Sequence, residues 1–415
     1  MRESFGPGAT GPVRRAGRRL GTVLCAAVTV VLGGTVVAPV PAAAAPRCGP
    51  PGEAAPTGTP WSLRRLEPAS AWRLSRGAGV TVAVIDSGVS AIHPSLRGRV
   101  LEGRDFSDLP EQQGRCDLVG HGTVVAGLIA GRDDTGAPFS GIAPDARILP
   151  GRVLAEYGTD LDDALPGQVA EAIRWAVSEE ADVINLSLVT LDRPELAEAV
   201  RDALDAGVVL VAAAGNRQQD QQDLPAYPAA YPGVIAVAGV DEQGAHVETS
   251  VSGEYVDLAA PGLNLIGPAP GGDGYLAEPQ GGTSFAAAYV SGVVALVRAA
   301  HPDLTPEQIT DRLIRTADAP PSGLDPQVGH GVVNPYRAVA DLLGTRADPP
   351  AGALPAPPAP TDPLADERAV ALWAAAVGAL LAGVLLVVKP ILARGRRRGW
   401  RPGRRPTGVT STPAT

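Results

Sequence analysis

The sequence predicts an α/β domain with a doubly wound, mostly parallel sheet flanked by helices. Short apolar runs rich in Val, Ile and Ala alternate along the chain with helical patterns. Such runs are typical of strands buried on both faces of a parallel sheet. Their alternation with helices favours the doubly wound arrangement. The predicted strands are Val80 to Ile85, Ala146 to Leu149, Ala181 to Leu188, Val208 to Ala213 and Val234 to Val240.

Three predicted helices lie between or after these runs. Apolar residues spaced by three and four predict a helix over residues 168–177. Pro194 begins the next helix, and Gly207 follows its last turn. The third runs from Ser284 to Ala300. In parallel sheets, functional groups gather where strands end at their carboxyl side.

The charge distribution excludes some function classes. The chain has 35 basic and 44 acidic residues, of which 22 and 43 fall in residues 46–368, a net charge of −21 there. This sign argues against a nucleic-acid partner. The only lysine is Lys389, so the folded part has no lysine-bearing phosphate loop. Three cysteines cannot form a four-thiolate zinc site.

Both ends of the chain contain segments typical of membrane targeting or insertion. Arginines, an apolar stretch and an Ala-rich cleavage site predict a signal peptide over residues 1–45, with an uncleaved anchor as the alternative. Residues 369–388 are uncharged and long enough for one transmembrane helix. A proline-rich linker (345–368) with acidic residues precedes it, and a basic tail (389–415) follows. This asymmetry predicts a single-pass protein of the cell membrane with a cytoplasmic C-terminus.

Two cysteines remain after removal of the signal peptide, Cys48 and Cys116. Because the domain between the signal and the span is exported, it meets an oxidising environment. We therefore expect a disulfide bond between the two residues, with two free thiols as the alternative.

Three polar residues stand where an apolar run ends or a helix begins. Asp86 ends the strand in VAVIDSG, His121 stands in GHGTVVAG, and Ser284 stands in GGTSFAAA. Taken singly, each is typical of a turn or a helix cap. Together, the order Asp, His, Ser on an α/β pattern is one of the known orders of a nucleophilic triad.

The chemistry of acyl transfer accounts for these residue types. The hydroxyl of Ser284 needs a base to remove its proton, and His121 would be that base. Asp86 would hold one imidazole tautomer and stabilise the imidazolium. The negative oxygen of the intermediate needs donors. A backbone N–H at the Ser284 helix start and the side chain of Asn216, at the end of a strand, are the candidates.

These motifs resemble those of the subtilisin-like serine proteases (subtilases, peptidase S8). The similarity spans about Val80 to Ala340 and includes GIAPDA, VINLSL, AAAGN, YPGVIAV and GVVN. It implies a subtilisin-like fold, serine endopeptidase activity, an oxyanion role for Asn216, and a polypeptide substrate paired main chain to main chain. The implied substrate-binding residues are Ser187, Leu188, Val189 and Gly215.

A narrower resemblance, to the mycosins, rests on WSLRRL before the first strand, the two cysteines, the spacer and the C-terminal span. Mycosins are membrane-anchored subtilases of type VII secretion, so a secretion membrane complex is an implied partner. Ala288 stands where subtilases usually have Pro, which predicts a straighter helix. Val189 stands where they usually have Gly, which predicts a narrower cleft and selective cleavage. The extension (46–79) is short for a folding propeptide, so we expect it to belong to the mature structure.

No cofactor or metal is expected. Asp133, Asp134, Asp162 and Asp163 could contribute to a structural calcium site, but no recognisable calcium loop supports one. The leading interpretation is a serine endopeptidase whose catalytic domain (80–344) lies outside the cytoplasm and cleaves selected exported proteins. One alternative is a structural subunit that stabilises the secretion complex. The other is a general extracellular processing subtilase.

Overall fold

The computed structural model of the chain describes residues 48–107, 114–155, 163–217, 224–341, 365–397 and 399–400. The predicted signal peptide, most of the proline-rich linker and most of the basic tail lie outside these residues. By its contacts the chain divides into two compact units, Met1–Asp341 and Leu342–Thr415. The first four described segments belong to the first unit.

A parallel sheet forms the centre of the first unit. The described strands are β1 (Thr81–Asp86), β2 (Arg104–Asp105), β3 (Arg147–Arg152), β4 (Val183–Leu186), β5 (Val209–Ala213), β6 (Ile235–Val240), β7 (Leu258–Pro261), β8 (Leu265–Pro268) and β9 (Tyr275–Glu278). Seven of them form one sheet in the order β2-β3-β1-β4-β5-β6-β7, and every pair in it is parallel. β8 and β9 form a separate antiparallel hairpin.

The five predicted strands correspond to β1, β3, β4, β5 and β6, and the predicted fold class is confirmed. The winding changes direction between β1 and β4, where open sheets of this kind place their functional groups. Most strand boundaries differ from the prediction by one to three residues. β3 runs on to Arg152, three residues past its predicted end, and β4 ends at Leu186, two residues before its predicted end at Leu188. Beyond Leu186, Ser187 forms hydrogen bonds with a helix.

Helices alternate with the strands as predicted. They are α1 (Trp61–Leu66), α2 (Pro68–Ala71), α3 (His121–Ala130), α4 (Leu165–Ser178), α5 (Pro194–Asp205), α6 (Thr283–Ala300), α7 (Pro306–Thr316) and α8 (Pro335–Ala340). The three predicted helices correspond to α4, α5 and α6. The last of these is continuous through Ala288.

Two hydrophobic cores lie on opposite faces of the sheet. Along β1, Val82 and Val84 pack in the core that contains α3 and α6. Ala83 and Ile85 pack in the core that contains α4 and α5. Successive residues of a strand point to opposite faces, so each strand contributes to both cores. All residues of β1 are buried because helices cover both faces of the sheet.

The segment ahead of β1 contacts the core helix α6. The Tyr289 hydroxyl donates to the Ser62 hydroxyl at 2.7 Å. The Ser75 hydroxyl donates to the Leu296 carbonyl, also at 2.7 Å. Trp61 is buried in the core that contains α6.

The second unit contains one long helix, α9 (Ala365–Arg397). Its segment from Arg368 to Arg397 has 30 residues and is long and apolar enough to cross a membrane. At 1.5 Å per residue it is about 45 Å long, and it contains the predicted span 369–388. α6, with 18 residues, is also long and apolar enough to cross a membrane, but most of it is buried in the protein core.

Candidate active site

An aspartate and a histidine meet at the carboxyl end of β1. Asp86 is the last residue of β1 and is fully buried, and His121 is the first residue of α3. The Nδ1 atom of His121 lies 2.8 Å from Oδ1 and 3.0 Å from Oδ2 of Asp86. Because a carboxylate only accepts hydrogen bonds, Nδ1 carries the hydrogen and donates it. The pair therefore fixes the neutral tautomer in which Nε2 is the acceptor.

The surroundings of His121 favour its protonated form. Burial by itself lowers the pKa of the ring. The negative charge of Asp86 and its hydrogen bond to the ring act in the opposite direction and outweigh burial, so the pKa of His121 is raised. The ring is therefore suited to take up a proton and to return it later.

A second buried carboxylate, Asp117, joins the end of β1 to the start of α3. Its Oδ1 accepts hydrogen bonds from the Gly120 N–H at 2.7 Å and the Ser87 hydroxyl at 2.9 Å. Its Oδ2 accepts from the N–H and the hydroxyl of Thr123 at 2.8 and 2.6 Å. The Ser87 hydroxyl in turn accepts from the Gly122 N–H at 3.0 Å. These bonds satisfy N–H groups that a helix start leaves without partners.

Asp117 was not among the site residues predicted from the sequence. The available signal was an aspartate just ahead of a predicted helix, where a carboxylate caps backbone N–H groups. Burial raises the pKa of Asp117, and the charge of Asp86 acts in the same direction. The two carboxylates therefore lie close enough to repel each other, and the hydrogen bonds to Asp117 offset part of the cost of its burial and of that repulsion.

The predicted disulfide bond is adjacent to this aspartate. Cys48 and Cys116, separated by 68 residues, form the bond. The carbonyl of Cys116 accepts a hydrogen bond from Nη1 of Arg152 at 3.0 Å. Arg152 is buried and also forms an ion pair with Asp105. The covalent bond and the arginine thus fix the segment that carries Asp117.

The candidate nucleophile lies at the start of α6. Ser284 is the second residue of that helix and is buried. Its hydroxyl donates to the carbonyl of Ser187 at 3.1 Å, and the Ser187 hydroxyl donates to the Ser284 carbonyl at 2.7 Å. The ring of His121 packs against the ring of Phe285, with centroids 5.1 Å apart. The residue after Ser284 therefore touches the imidazole.

Asn185 supports this arrangement from β4. Its Nδ2 donates to the Ser187 hydroxyl at 2.9 Å. Its Oδ1 accepts from the Ser291 hydroxyl of α6, also at 2.9 Å. The end of β4 and the first half of α6 are therefore connected through side chains as well as through the apolar core.

The candidate oxyanion residue lies against the same helix start. Oδ1 of Asn216 accepts from the N–H and the hydroxyl of Thr283 at 3.0 and 3.2 Å. Because a backbone N–H can only donate, the side-chain oxygen must face Thr283 and the amide nitrogen must point elsewhere. Gly282, with φ of 151°, leaves room for that nitrogen, since an added Cβ would lie 3.1 Å from it.

The remaining predicted binding residues line two neighbouring strand ends. A Cβ added to Gly215 would lie 3.7 Å from Cγ2 of Val189, so these two residues face each other. Leu188 is buried in the core that contains α4 and α5, so it can offer only its backbone to a ligand. The Thr190 N–H donates to the carbonyl of Tyr227 at 2.8 Å and fixes the end of this segment.

Three of the four aspartates that were candidates for a calcium site form ion pairs with arginines. Asp133 forms an ion pair with Arg76, and Asp134 forms one with Arg132. Asp163 forms an ion pair with Arg193. Asp162 lies outside the described residues.

Comparison with known proteins gives the family. The sequence profile of the subtilase family matches residues 77–331. Mycosin-1 of Mycobacterium tuberculosis is 35% identical over 373 residues, which cover 78% of this chain and 83% of that protein. Thermitase of Thermoactinomyces vulgaris is 36% identical over 279 residues, which cover 66% of this chain and 94% of that protein.

Comparison with solved structures indicates the same family. The serine protease MycP1, titled an essential component of the type VII (ESX-1) secretion system, aligns with a TM-score of 0.62 at 33% identity, covering 72% of this chain and 98% of that chain. A chain of an intact ESX-5 inner membrane complex aligns with a TM-score of 0.61 at 33% identity, covering 84% of this chain and 98% of that chain. The chain studied here therefore belongs to the subtilase family, is a serine endopeptidase, and is similar to the mycosins related to type VII secretion.

Proposed function

We propose that this protein is a membrane-anchored endopeptidase that cleaves selected exported proteins outside the membrane, in type VII secretion. Asp86, His121 and Ser284 would form its catalytic triad. The observation that carries this proposal is the position of His121. Its Nδ1 is held by Asp86, and its ring packs against Phe285, the residue that follows Ser284.

The proposed reaction uses these groups in turn. Oγ of Ser284 forms a bond to the carbonyl carbon of the substrate and gives its proton to Nε2 of His121. For this step the hydroxyl turns from the Ser187 carbonyl, to which it donates in the structure, toward the imidazole. The C–N bond then breaks, and the leaving amine takes the proton from Nε2. Water attacks the acyl-enzyme by the same route and releases the acid.

Two donors would stabilise the tetrahedral intermediate. The amide nitrogen of Asn216 is available because its oxygen is occupied by Thr283. The backbone N–H of Ser284 lies in the first turn of α6, where N–H groups point out of the helix end. Both donors are fixed before the reaction, so they need not reorganise when the charge develops.

The substrate would lie extended along Ser187 and Val189, with Gly215 on the other side. The branched side chain of Val189 lies across from Gly215, with its Cγ2 3.7 Å from where a Cβ would stand on that glycine, and it would narrow the space for the substrate side chain before the scissile bond. This supports cleavage of selected sites with small residues there rather than general degradation.

α9 would anchor the enzyme. It is an apolar helix long enough to span the bilayer. Acidic residues precede the apolar segment and basic residues follow it, so the positive-inside rule places the catalytic domain outside. A cysteine introduced into the basic tail should react with a membrane-impermeant thiol reagent only from the cytoplasmic side.

The test of the activity is the change Ser284→Ala in the full-length, detergent-solubilised protein. We expect turnover of a peptide substrate to fall on the order of a millionfold, the scale known for loss of the nucleophile in this family. Ser322→Ala, at an exposed serine, is the matched control and should keep full activity. Cleavage retained by the Ser284→Ala protein would remove the proposed nucleophile.

A structural role in the secretion complex is the second candidate. It is favoured by the alignment of 84% of this chain with a subunit of an intact ESX-5 inner membrane complex. Complementing a deletion strain with the Ser284→Ala protein separates the two roles. Restored secretion would assign the essential role to the scaffold, whereas lost secretion with an intact complex would assign it to proteolysis.

A further inference from the structure

The β8–β9 hairpin approaches the candidate active site from the side of α3. A Cβ added to Gly120, the residue before His121, would lie only 2.8 Å from Cδ1 of Leu276 on β9. Side chains two residues apart on a strand point the same way, so Glu278 extends from the same side of β9 as Leu276. Ala277, between them, is exposed on the other side.

The end of β9 leads directly to the start of α6. The Gly281 N–H donates to the Glu278 carbonyl at 3.2 Å, which closes a turn between the two elements. Glu278 thus lies next to both helix starts, the one that presents His121 and the one that presents Ser284. Its charge acts on the His121 ring.

Among the described residues, the only cation whose charge acts on the carboxylate of Glu278 is the imidazole of His121. The carboxylate is half-buried, and within the described residues no arginine or lysine forms an ion pair with it and no group donates a hydrogen bond to it. Burial raises the pKa of Glu278, while the charge of His121 lowers it. A half-buried carboxylate without a partner is costly, unless a ligand supplies the partner.

We propose that Glu278 is a specificity-determining residue that binds a basic side chain, Lys or Arg, next to the scissile bond of the substrate. This inference rests on the proposed proteolytic function. The acyl part of the substrate is assigned to Ser187 and Val189. Glu278 follows Leu276 on the hairpin that contacts the start of α3, and its charge acts on the His121 ring, so it is placed to select a residue next to the scissile bond. The net charge of −21 over residues 46–368 attracts the same class of polypeptide.

The test measures which residues flank the cleaved bonds. The full-length protein, with its disulfide bond intact, digests a proteome-derived peptide mixture, and mass spectrometry records each cleaved site. We expect Lys and Arg to be enriched at one position within two residues of the cleaved bond. For matched peptides with Lys or Gln at that position, kcat/KM should favour Lys by about tenfold, between the scale of an exposed ion pair and that of a buried charged hydrogen bond.

Two substitutions give the proposal its controls. Glu278→Gln should reduce the Lys-to-Gln preference to about one, and Glu278→Lys should reverse it in favour of a peptide with Glu. Glu198→Gln, at an exposed position of α5 on the opposite face of the sheet, should leave the preference unchanged.

Three outcomes would overturn the proposal. Cleavage by the unchanged protein without enrichment of Lys or Arg would overturn the inference and leave the proposed proteolytic function standing. An equal loss of kcat/KM for all peptides in Glu278→Gln, with a downward shift of the pH profile, would instead make Glu278 a positioning residue that acts through His121. Absence of any Ser284-dependent cleavage would overturn the proposed function and this inference with it.

Discussion

The two faces of the central sheet are covered by helices of different character. All ten residues of α3 are buried, and in α6 residues 283–297 are buried without interruption. α5, on the other face, buries only one stripe: Leu196, Ala199, Val200 and Ala203. A helix that is apolar all round is enclosed by protein, whereas an amphipathic helix covers a core and faces water. The candidate catalytic histidine and serine both begin enclosed helices.

This difference shows how the site is positioned. An enclosed helix is held from every direction, so its first residue has little freedom to move. An amphipathic helix needs only to cover the sheet, and changes on its outer side affect few contacts. Substitutions on the enclosed side should therefore alter activity, and those on the other side should alter stability alone.

Among the substitutions that test this comparison of the two faces, the largest effect is expected from Asp86→Asn, at the point where β1 meets α3. Turnover should fall by about 10⁴, the scale known for this change in a serine protease triad. His121 must be neutral to accept a proton, and its raised pKa means that kcat/KM falls as the pH drops through a value above the ordinary 6.5. Without the charge of Asp86 the pKa of His121 should decrease. NMR titration in the Ser284→Ala background measures the pKa of His121 with and without Asp86→Asn. An unchanged pKa would contradict the pairing of His121 with Asp86.

Gly122→Ala should have the next largest effect. A Cβ at this position of α3 would lie 2.2 Å from the carbonyl oxygen of Gly88 and 3.1 Å from Cβ of Asp86. The helix start must then move away from β1 and take His121 with it. A displacement of about 1 Å costs on the order of 10²-fold in turnover. Steady-state kinetics on folded protein checks this, and wild-type activity would show that α3 is less constrained than described.

Asp117→Asn should reduce stability by about 1–3 kcal/mol, because either amide orientation turns its NH₂ group toward backbone N–H donors. Urea denaturation at neutral pH measures the free energy of unfolding. Asp303→Asn, at an exposed position, is the control. Equal stability of the two variants would mean that Asp117 does not hold α3 to β1.

Gly167→Ala, in α4 on the opposite face, should have the smallest effect and the opposite sign. A Cβ there meets nothing within 4 Å, so alanine adds helix propensity without a clash. We expect a gain of about 0.5–1 kcal/mol in the free energy of unfolding and unchanged turnover. A loss of activity comparable to that of Gly122→Ala would contradict the contrast between the two faces.

The sequence was sufficient for the parts of the fold that depend on local pattern. β1, β5 and β6 are apolar runs ended by turns; Asp86 ends the first of these strands, and Asn216 stands three residues after the end of β5. β7 and the β8–β9 hairpin were not predicted, because their short strands lack a long apolar run. β4 is shorter than predicted because Ser187 bonds to Ser284 rather than to a neighbouring strand.

The supporting residues of the site depend on contacts between distant segments. Asp117 is informative only once β1 and α3 are seen to converge on it. Glu278 becomes notable only when the hairpin lies against α3. No local sequence pattern predicts these contacts between distant segments. The triad could be inferred because each of its members stands in a sequence motif of its own.

The chain ahead of the first strand has a consequence for where this protein can be shortened. The Trp61 indole donates to the main-chain carbonyl of Leu263 at 3.0 Å, beside the buried contacts that Ser62 and Ser75 make with α6. The family profile begins only at residue 77. A recombinant protein that begins at residue 77 would lack Ser62 and Ser75. The Tyr289 hydroxyl and the Leu296 carbonyl would then lose these partners, part of the core would be exposed, and the protein should aggregate. Trimming ahead of Cys48 would spare these contacts and the disulfide bond.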